Sequence, residues 1–486
     1  MFSKILRFLH CLPIATLLPT SLMAEKPNIV IFMADDLGYG SLNSYGAPEN
    51  FVKTPRLDGL AEQGILFKNA FATASVCTPT RYTMLTGQYS WRTRLKKSVV
   101  NTMDPLLIDP ETKTIGSFLQ DKGYRTAAIG KWHLGYKEKK FKNLLGKIEP
   151  GPLQVGFDYH FGVPNNLDDF HKVYIENDGI YGLKSDKMQV YGTSYYKAKD
   201  AYAGYDAPQR VTDEVMDTTM DKAIEWINKE KEKPFFLYFG AVAVHHPIIP
   251  SKYMKGKSGA GLYGDFIQDT DRVTGRLIDY LKEKGALENT LFIFTSDNGG
   301  DIPNNDEKHE KITFDMGFKF NGDIRADKHT IFDGGLRVPF IVSWPAKLGK
   351  GLVSNELVTT GDLFATIAEV VDGKVPDPAV AAPDSFSFWN ILQDTTQKSD
   401  RPHLINRDVL GRHALRFGKW KYIEGIPAAG TSEVKKGKML EQLYNIEEDP
   451  AEEENVFKNH PEVAQQAKKL LLEIRNNPSS RNVPGV

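Results

Sequence analysis

Acidic and amide side chains follow two apolar segments that are typical of buried strands. Asp35 and Asp36 come after residues 28–33, and Asp297 and Asn298 come after residues 291–295. Carboxylate and amide oxygens suit a hard divalent cation such as Ca²⁺ or Mg²⁺, whereas zinc favours clustered Cys and His. A helix cap and a tight turn are the structural alternatives for these two pairs. The repeated placement nevertheless favours a cation site built from oxygen ligands.

Basic side chains follow two further strand-like segments. Lys131 and His133 come after residues 126–129, and His245 comes after residues 235–244. Such side chains bind anions or transfer protons, although a histidine in this place also serves as an ordinary structural residue. If the strands are parallel neighbours, these groups meet the acidic pairs at one edge of the sheet.

Cys77 is predicted to be the lone cysteine of the mature protein. The other cysteine, Cys11, lies in an N-terminal segment with a basic start, a short apolar run and small residues up to Ala24. This layout predicts a secretory signal over residues 1–24 and a secreted or periplasmic protein, because the apolar run is too short to span a membrane. A lone thiol in an oxidising compartment is either a buried core residue or a group with a chemical use.

Strand-like and helix-like segments alternate through most of the chain, which predicts an α/β fold with a mostly parallel sheet flanked by helices. After residue 371 a Pro- and Ala-rich stretch precedes short strands and a helix over residues 461–475. We therefore expect a catalytic domain over residues 25–375 and a C-terminal subdomain over residues 376–486. The irregular segment 156–209 is the first candidate for substrate contact, with an ordinary surface excursion as the alternative, and Glu452-Glu453-Glu454 is most simply interpreted as a solvated charge run.

Composition excludes a protein that holds nucleic acid by its overall field. The 486 residues include 61 basic and 62 acidic side chains, which give a net charge of -1. A polyanion needs a positive surface, so any anion must here be captured locally. The 41% hydrophobic and 25% charged content is that of an ordinary globular protein.

The residues around Cys77 resemble the signature of the type I sulfatases, a family of the alkaline phosphatase superfamily. Cys77-Thr78-Pro79-Thr80-Arg81 followed by Leu85-Thr86-Gly87 carries the resemblance. Further stretches look like the family's blocks in the family's order: residues 35–38, 130–135, 156–158, 245–247, 296–299, 325–339 and 443–450. The resemblance implies a large mixed sheet between helices, a smaller C-terminal antiparallel four-stranded sheet with a helix, and conversion of Cys77 to formylglycine.

The resemblance also implies roles for individual residues. The cation, Ca²⁺ rather than Mg²⁺, would be held by Asp35, Asp36, Asp297 and Asn298, with formylglycine at Cys77 completing the shell. The remaining polar positions of the family's pocket match Arg81, Lys131, His133, His245 and Lys328. Two departures bear on Lys328: Ala326-Asp327 stands where the family often has glycines, and Asp333 replaces the usual Glu.

The activity implied is hydrolysis of a sulfate monoester. One hydroxyl of the hydrated aldehyde would attack sulfur while His245 or Lys328 protonates the leaving alcohol, giving a covalent sulfate at residue 77. The second hydroxyl, deprotonated by His133, would then expel sulfate. The predicted partners are a sulfated carbohydrate and a formylglycine-generating maturation enzyme. A phosphonate or phosphate monoester hydrolase of the same superfamily and an inactive sulfated-glycan-binding protein are the alternatives.

Overall fold

The computed structural model describes residues 26–191, 202–230, 232–425 and 440–485. The predicted signal over residues 1–24 lies outside these ranges. Within them, none of the helices combines the length and the apolar character that crossing a membrane requires.

The strands are β1 Asn28–Ala34, β2 Ile65–Phe67, β3 Ala70–Phe71, β4 Arg125–Lys131, β5 Tyr159–Val163, β6 Ile175–Glu176, β7 Gly179–Ile180, β8 Ser185–Tyr191, β9 Tyr202–Asp206, β10 Phe235–Gly240, β11 Thr290–Ser296, β12 Phe340–Ser343, β13 Leu352–Ser354, β14 Val358–Thr359, β15 Leu404–Arg407, β16 His413–Phe417, β17 Trp420–Ile423 and β18 Gln442–Asn445. The α-helices are α1 Pro55–Glu62, α2 Cys77–Thr86, α3 Ile115–Asp121, α4 Val215–Lys229, α5 Gly261–Glu283, α6 His309–Asp315, α7 Asp333–Leu336, α8 Leu363–Asp372, α9 Trp389–Gln393 and α10 Pro461–Asn476.

The main sheet is mixed and mostly parallel, as predicted. Its strand order within the described ranges is β13-β2-β12-β11-β1-β10-β4-β5-β6-β7. The central strands β11, β1, β10 and β4 run parallel to one another, whereas β12 runs antiparallel to β11. Their carboxyl ends therefore meet at one edge, which we call the carboxyl edge.

Apolar side chains on both faces of the central strands hold the sheet between helices. In β1, Ile29 and Ile31 pack with residues of α3 and α8. Val30 and Phe32, which point to the opposite face, pack with residues of α4 and α5. Strands buried on both faces read as continuous apolar runs, which is why the sequence pattern located them.

A second, antiparallel sheet follows near the C-terminus, with the strand order β15-β16-β17-β18. Helix α10 packs on it through Leu470, Leu471 and Ile474, which contact Leu415 and Leu443 of the sheet in one apolar cluster. This sheet confirms the predicted C-terminal architecture. The prediction of a solvated charge run is wrong at its first residue, because Glu452 is fully buried and forms an ion pair with Lys421.

Candidate active site

The acidic pairs predicted from sequence lie side by side at the carboxyl edge. The register of β1 against β11 places Ala34 opposite Ser296, so the residues that follow both strands face each other. The amide N–H of Asp36 donates to Asp297 Oδ1 at 3.1 Å, and Asn298 Nδ2 donates to Asp36 Oδ1 at 2.8 Å. Asp36 has a φ of 60°, a strained conformation of the kind that is common at functional sites.

Cys77 lies at the start of α2 and points to the same acids. Its Sγ is 3.5 Å from Asp35 Oδ1 and 4.0 Å from Asp36 Oδ1. Asp35, Asp36, Cys77 and Asp297 each offer one ligand atom, and these atoms all lie within 4.8 Å of one another. The Oδ1 atom of Asn298 is buried without a hydrogen-bond partner among the described residues. An unpartnered amide oxygen beside three carboxylates is what an oxygen-ligated cation would complete.

Three cationic side chains balance the three carboxylates. Lys131 Nζ donates to Asp35 Oδ2 at 2.6 Å, and Lys328 Nζ donates to Asp36 Oδ2 at 2.6 Å. Arg81, one turn along α2 from Cys77, donates to Asp297 Oδ2 from Nε at 3.0 Å and from Nη2 at 2.7 Å. All three cations are buried, so their charges are only weakly screened by solvent.

Burial and neighbouring charge set the protonation of the site. Burial raises the pKa of Asp35 to about 7, against the effect of Lys131. Burial would also raise the pKa of Asp36, but Lys328 and His245 hold it well below its ordinary value. Burial, with Asp297, raises the pKa of the Cys77 thiol well above normal, which disfavours the thiolate that an unmodified cysteine nucleophile requires.

Both predicted histidines are buried at the carboxyl edge. His133 has a φ of 57°, and neither ring nitrogen makes a hydrogen bond of ordinary geometry with the described residues. His245 Nδ1 lies 2.6 Å from the carbonyl of His246, and its Nε2 lies 3.8 Å from Asp36 Oδ2. Burial lowers the pKa of both imidazoles well below normal, with Lys131 adding to the shift of His133 and Lys328 to that of His245.

The structure corrects the segment that carries His245. The sequence predicted a strand over residues 235–244, but β10 ends at Gly240. Beyond it the chain turns along the end of β1, where Ala241 N donates to Met33 O and Asp35 N donates to Ala243 O. The apolar run continues past the strand because this turn is itself buried, and apolar runs alone do not mark a strand's end.

Two polar residues were not singled out by the sequence reasoning, Tyr238 and Asp168. Tyr238, in the middle of β10, accepts a hydrogen bond from Arg81 Nη1 at 2.9 Å. Asp168 Oδ2 lies 3.9 Å from Nε2 of His246, which belongs to the predicted block 245–247. A single hydroxyl inside an apolar strand was the available signal for Tyr238. Asp168 belongs to the predicted substrate segment 156–209, which also contributes β5 to the main sheet and so is less irregular than predicted.

Comparison with known proteins decides the family, since the family model described as Sulfatase matches residues 27–373. The chain belongs to the sulfatase family. N-acetylgalactosamine-6-O-sulfatase of Bacteroides thetaiotaomicron is 34% identical over 93% of this chain and 94% of its own. Human arylsulfatase A is 30% identical over 93% of this chain and 88% of its own. A solved structure of a Bacteroides thetaiotaomicron protein, presented with the metabolism of multiple glycosaminoglycans, has a TM-score of 0.85 and 33% identity, and the match covers 93% of this chain and 100% of that one. This sulfatase is accordingly a sulfuric ester hydrolase.

Proposed function

We propose that this sulfatase removes sulfate from a carbohydrate, using formylglycine formed from Cys77 and one divalent cation, Ca²⁺. The observation that carries the proposal is the meeting of Cys77 with three carboxylates, three cations and an unpartnered amide oxygen in one buried cluster at the carboxyl edge. The proposed ligands Asp35, Asp36, Asp297 and Asn298 all offer oxygen atoms, whereas zinc favours sulfur and imidazole donors.

Asp35, Asp36, Asp297 and Asn298 would hold the cation through oxygen atoms. The three carboxylates already balance the charges of Arg81, Lys131 and Lys328. With a divalent cation bound, the site would have a net positive charge. That charge would stabilise the negative charge that develops on the sulfate ester as the reaction proceeds. The hydrated aldehyde would supply a nucleophile that carries two hydroxyl groups on one carbon.

Lys131, Lys328 and Arg81 would bind the sulfate oxygens, exchanging part of their contacts with the acids for contacts with the ester. His133, neutral and without a hydrogen bond of ordinary geometry, would accept a proton from the residue at position 77. On the leaving-group side, either His245 or Lys328 would donate a proton to the departing alcohol oxygen. Lys328 carries a proton at neutral pH, since Asp36 raises its pKa above normal against the effect of burial.

A carbohydrate substrate is supported by a cavity near the site and by the name of a relative. The cavity, of about 770 Å³, is lined by Asn321, Asp323, Asp327 and Phe314 among others; it adjoins the segment that carries Lys328, and none of the proposed catalytic or cation-binding residues lines it. Amide and carboxylate groups next to an aromatic side chain suit the hydroxyls and apolar faces of sugars. The name of the Bacteroides thetaiotaomicron relative makes N-acetylgalactosamine 6-sulfate the first substrate to test.

Export and maturation complete the proposal. Residues 1–24 would act as a secretory signal, residues 25–375 as the catalytic domain and residues 376–486 as a C-terminal subdomain. The mature protein would be secreted or periplasmic, and a formylglycine-generating enzyme would act on Cys77 before export is complete.

The test is turnover by the purified protein co-expressed with a maturation enzyme. We expect hydrolysis of N-acetylgalactosamine 6-sulfate, or of another sulfated sugar in a panel of position isomers, and little turnover of matched phosphate and phosphonate monoesters. The Cys77→Ala protein, prepared in parallel, is the control for contaminating activity. Faster turnover of the phosphorus esters would assign the protein to the alternative hydrolase class, and binding of sulfated glycans without turnover would assign it to the inactive class.

A further inference from the structure

One loop connects the carboxyl edge with the C-terminal sheet. We call residues 325–336 the lysine loop, because Lys328 of this loop donates to Asp36 at 2.6 Å. Five residues later, Asp333 Oδ1 accepts a hydrogen bond from Lys421 of β17 at 2.8 Å. The loop closes on itself where Gly334 N donates to Arg325 O at 2.8 Å. A displacement at one end of so short and closed a loop therefore reaches the other end.

The far end of the loop is held by buried charges that we call the interface cluster: Asp333, Arg416, Lys421 and Glu452. Arg416 and Lys421 stand directly opposite each other in the β16–β17 pair, where like charges repel. The carboxylate of Asp333 contacts both, since its Oδ2 lies 2.5 Å from Arg416 Nη2. Glu452 pairs with Lys421 and accepts the N–H of Asp333 at 2.8 Å.

Both the Lys328 part of the loop and the Gly334–Gly335 part are seated on backbone next to the proposed cation ligands. The backbone contacts of the loop are Lys328 N to Gly300 O at 3.0 Å, His329 N to Ser75 O at 2.9 Å, and Gly299 N to Gly335 O at 3.0 Å. A Cβ atom added to Gly299 would lie 1.9 Å from Gly334 O, so the two backbones are in direct contact. A shift of the loop is therefore passed on to these contacts, one of which is with Ser75, two residues before Cys77.

We propose that the interface cluster positions Lys328 for catalysis, so that the C-terminal sheet is part of the catalytic apparatus. The inference rests on the proposed function, in which Lys328 contacts the sulfate ester. The ion pairs of Asp333 join it to Arg416 and Lys421 and not to the proposed cation ligands, so Asp333 acts through the loop. Loss of the Asp333 charge leaves these two opposed buried cations without their shared partner, and the loop that carries Lys328 shifts to relieve that repulsion.

A double-mutant cycle with Asp333→Asn and Lys328→Ala tests the positioning role. Since displacement by about 1 Å costs up to about 10²-fold in rate, we expect Asp333→Asn to lower kcat for a sugar sulfate by about 10- to 100-fold with little change in KM. In the Lys328→Ala protein the same substitution should cost less than about 3-fold, because the group being positioned is absent. If the fold-losses in kcat of the two single variants multiply in the double variant, the two residues act independently and the inference is overturned.

Two further variants separate positioning from general destabilisation. Asp333→Glu keeps the charge and should restore much of kcat, and Glu452→Gln gives a second cycle if Asp333→Asn does not fold. Arg272→Met breaks an ion pair with Asp217 that joins α4 and α5, and it should leave kcat unchanged at temperatures where the protein is folded. A wild-type protein that hydrolyses no sugar sulfate would overturn the proposed function together with this inference. An active protein with multiplying losses would overturn the positioning role alone.

Discussion

Two buried charge clusters of this protein have similar compositions and differ in what accompanies the charges. At the carboxyl edge, acids and bases are paired, but the Asn298 amide oxygen and the His133 ring stand beside them without ordinary hydrogen bonds to the described residues. In the interface cluster the buried atoms without a hydrogen bond to the described residues, Arg416 Nε and Glu452 Oε1, belong to charged side chains that form ion pairs within the cluster, and no neutral side chain is left open there. Paired buried charges alone therefore do not mark a functional site. Neutral polar groups left open beside them indicate where a ligand must complete the contacts.

The largest expected effect is on turnover and follows from substitution of Cys77. The comparison of the two clusters assigns this residue to the reacting site and not to the core packing. Removal of a nucleophile costs about 10⁴-fold or more in turnover, so Cys77→Ala should abolish activity while α2 remains folded. Cys77→Ser should allow at most a single sulfation event, because serine has no second hydroxyl on the same carbon. Peptide mass spectrometry of the active wild type should find the thiol replaced by an aldehyde at residue 77. Active protein that carries only unmodified cysteine would contradict the formylglycine assignment.

Asp297 combines the two features compared above. It is a proposed cation ligand, and it also forms a buried ion pair with Arg81. Asp297→Ala should therefore remove bound metal and activity, and it should also lower the free energy of unfolding by about 3 to 5 kcal/mol because Arg81 loses its partner. Elemental analysis and urea unfolding measure the two effects. Asp297→Asn, which keeps the shape, is the matched control for packing. Bound zinc, or activity that survives chelation, would argue against the oxygen-ligated cation.

In the proposed mechanism, His245 acts on the leaving group and His133 acts on residue 77. General acid catalysis contributes about 10² to 10⁴-fold and matters most for a poor leaving group, so His245→Ala should slow a sugar sulfate far more than an activated aryl sulfate. His133→Ala should permit cleavage of the ester and impair release, so the protein should gain the mass of a sulfate group after mixing with substrate. Equal losses on both substrates for His245→Ala would leave Lys328 as the proton donor.

The smallest expected effect is the pH response of the interface cluster. Burial would raise the pKa of Asp333, but Arg416 and Lys421 outweigh it and hold the pKa below its ordinary value. A carboxyl whose pKa is lower in the folded state stabilises the protein above its unfolded pKa of about 4, and this contribution is lost as the pH falls. Between pH 5 and pH 3 the wild type should lose about 1 kcal/mol more unfolding free energy than Asp333→Asn.

The control for the pH prediction is an ion pair that is exposed to solvent instead of buried. Lys398 pairs with Glu356 at the surface, where the Lys398 side chain is 87% exposed. Exposed pairs contribute about 0 to 1 kcal/mol, so Glu356→Gln should show the same acid response as the wild type. An equal response of Asp333→Asn and the wild type would mean that the interface cluster is as weakly coupled as a surface pair.

Sequence patterns located the central strands and most helices because each buries a continuous apolar surface with a definite period. They also gave the residues that meet at the carboxyl edge, since groups that follow parallel strands must converge. The patterns overextended the strand before His245, because the buried turn over residues 241–244 is as apolar as β10 itself. They did not single out β15, Leu404–Arg407, because only its first two residues are apolar.

By itself the sequence determined the family, the α/β architecture and the chemical groups available at the carboxyl edge. This information is local, since motif spacing and the period of apolar residues are properties of neighbouring residues. Only the tertiary structure decided that Asn298 keeps an unpartnered oxygen, that Glu452 is buried, and that Asp333 joins Arg416 to Lys421. These contacts connect residues that are far apart in the chain. No spacing in the sequence predicts them, because buried charges pair with whichever groups the fold brings close in space.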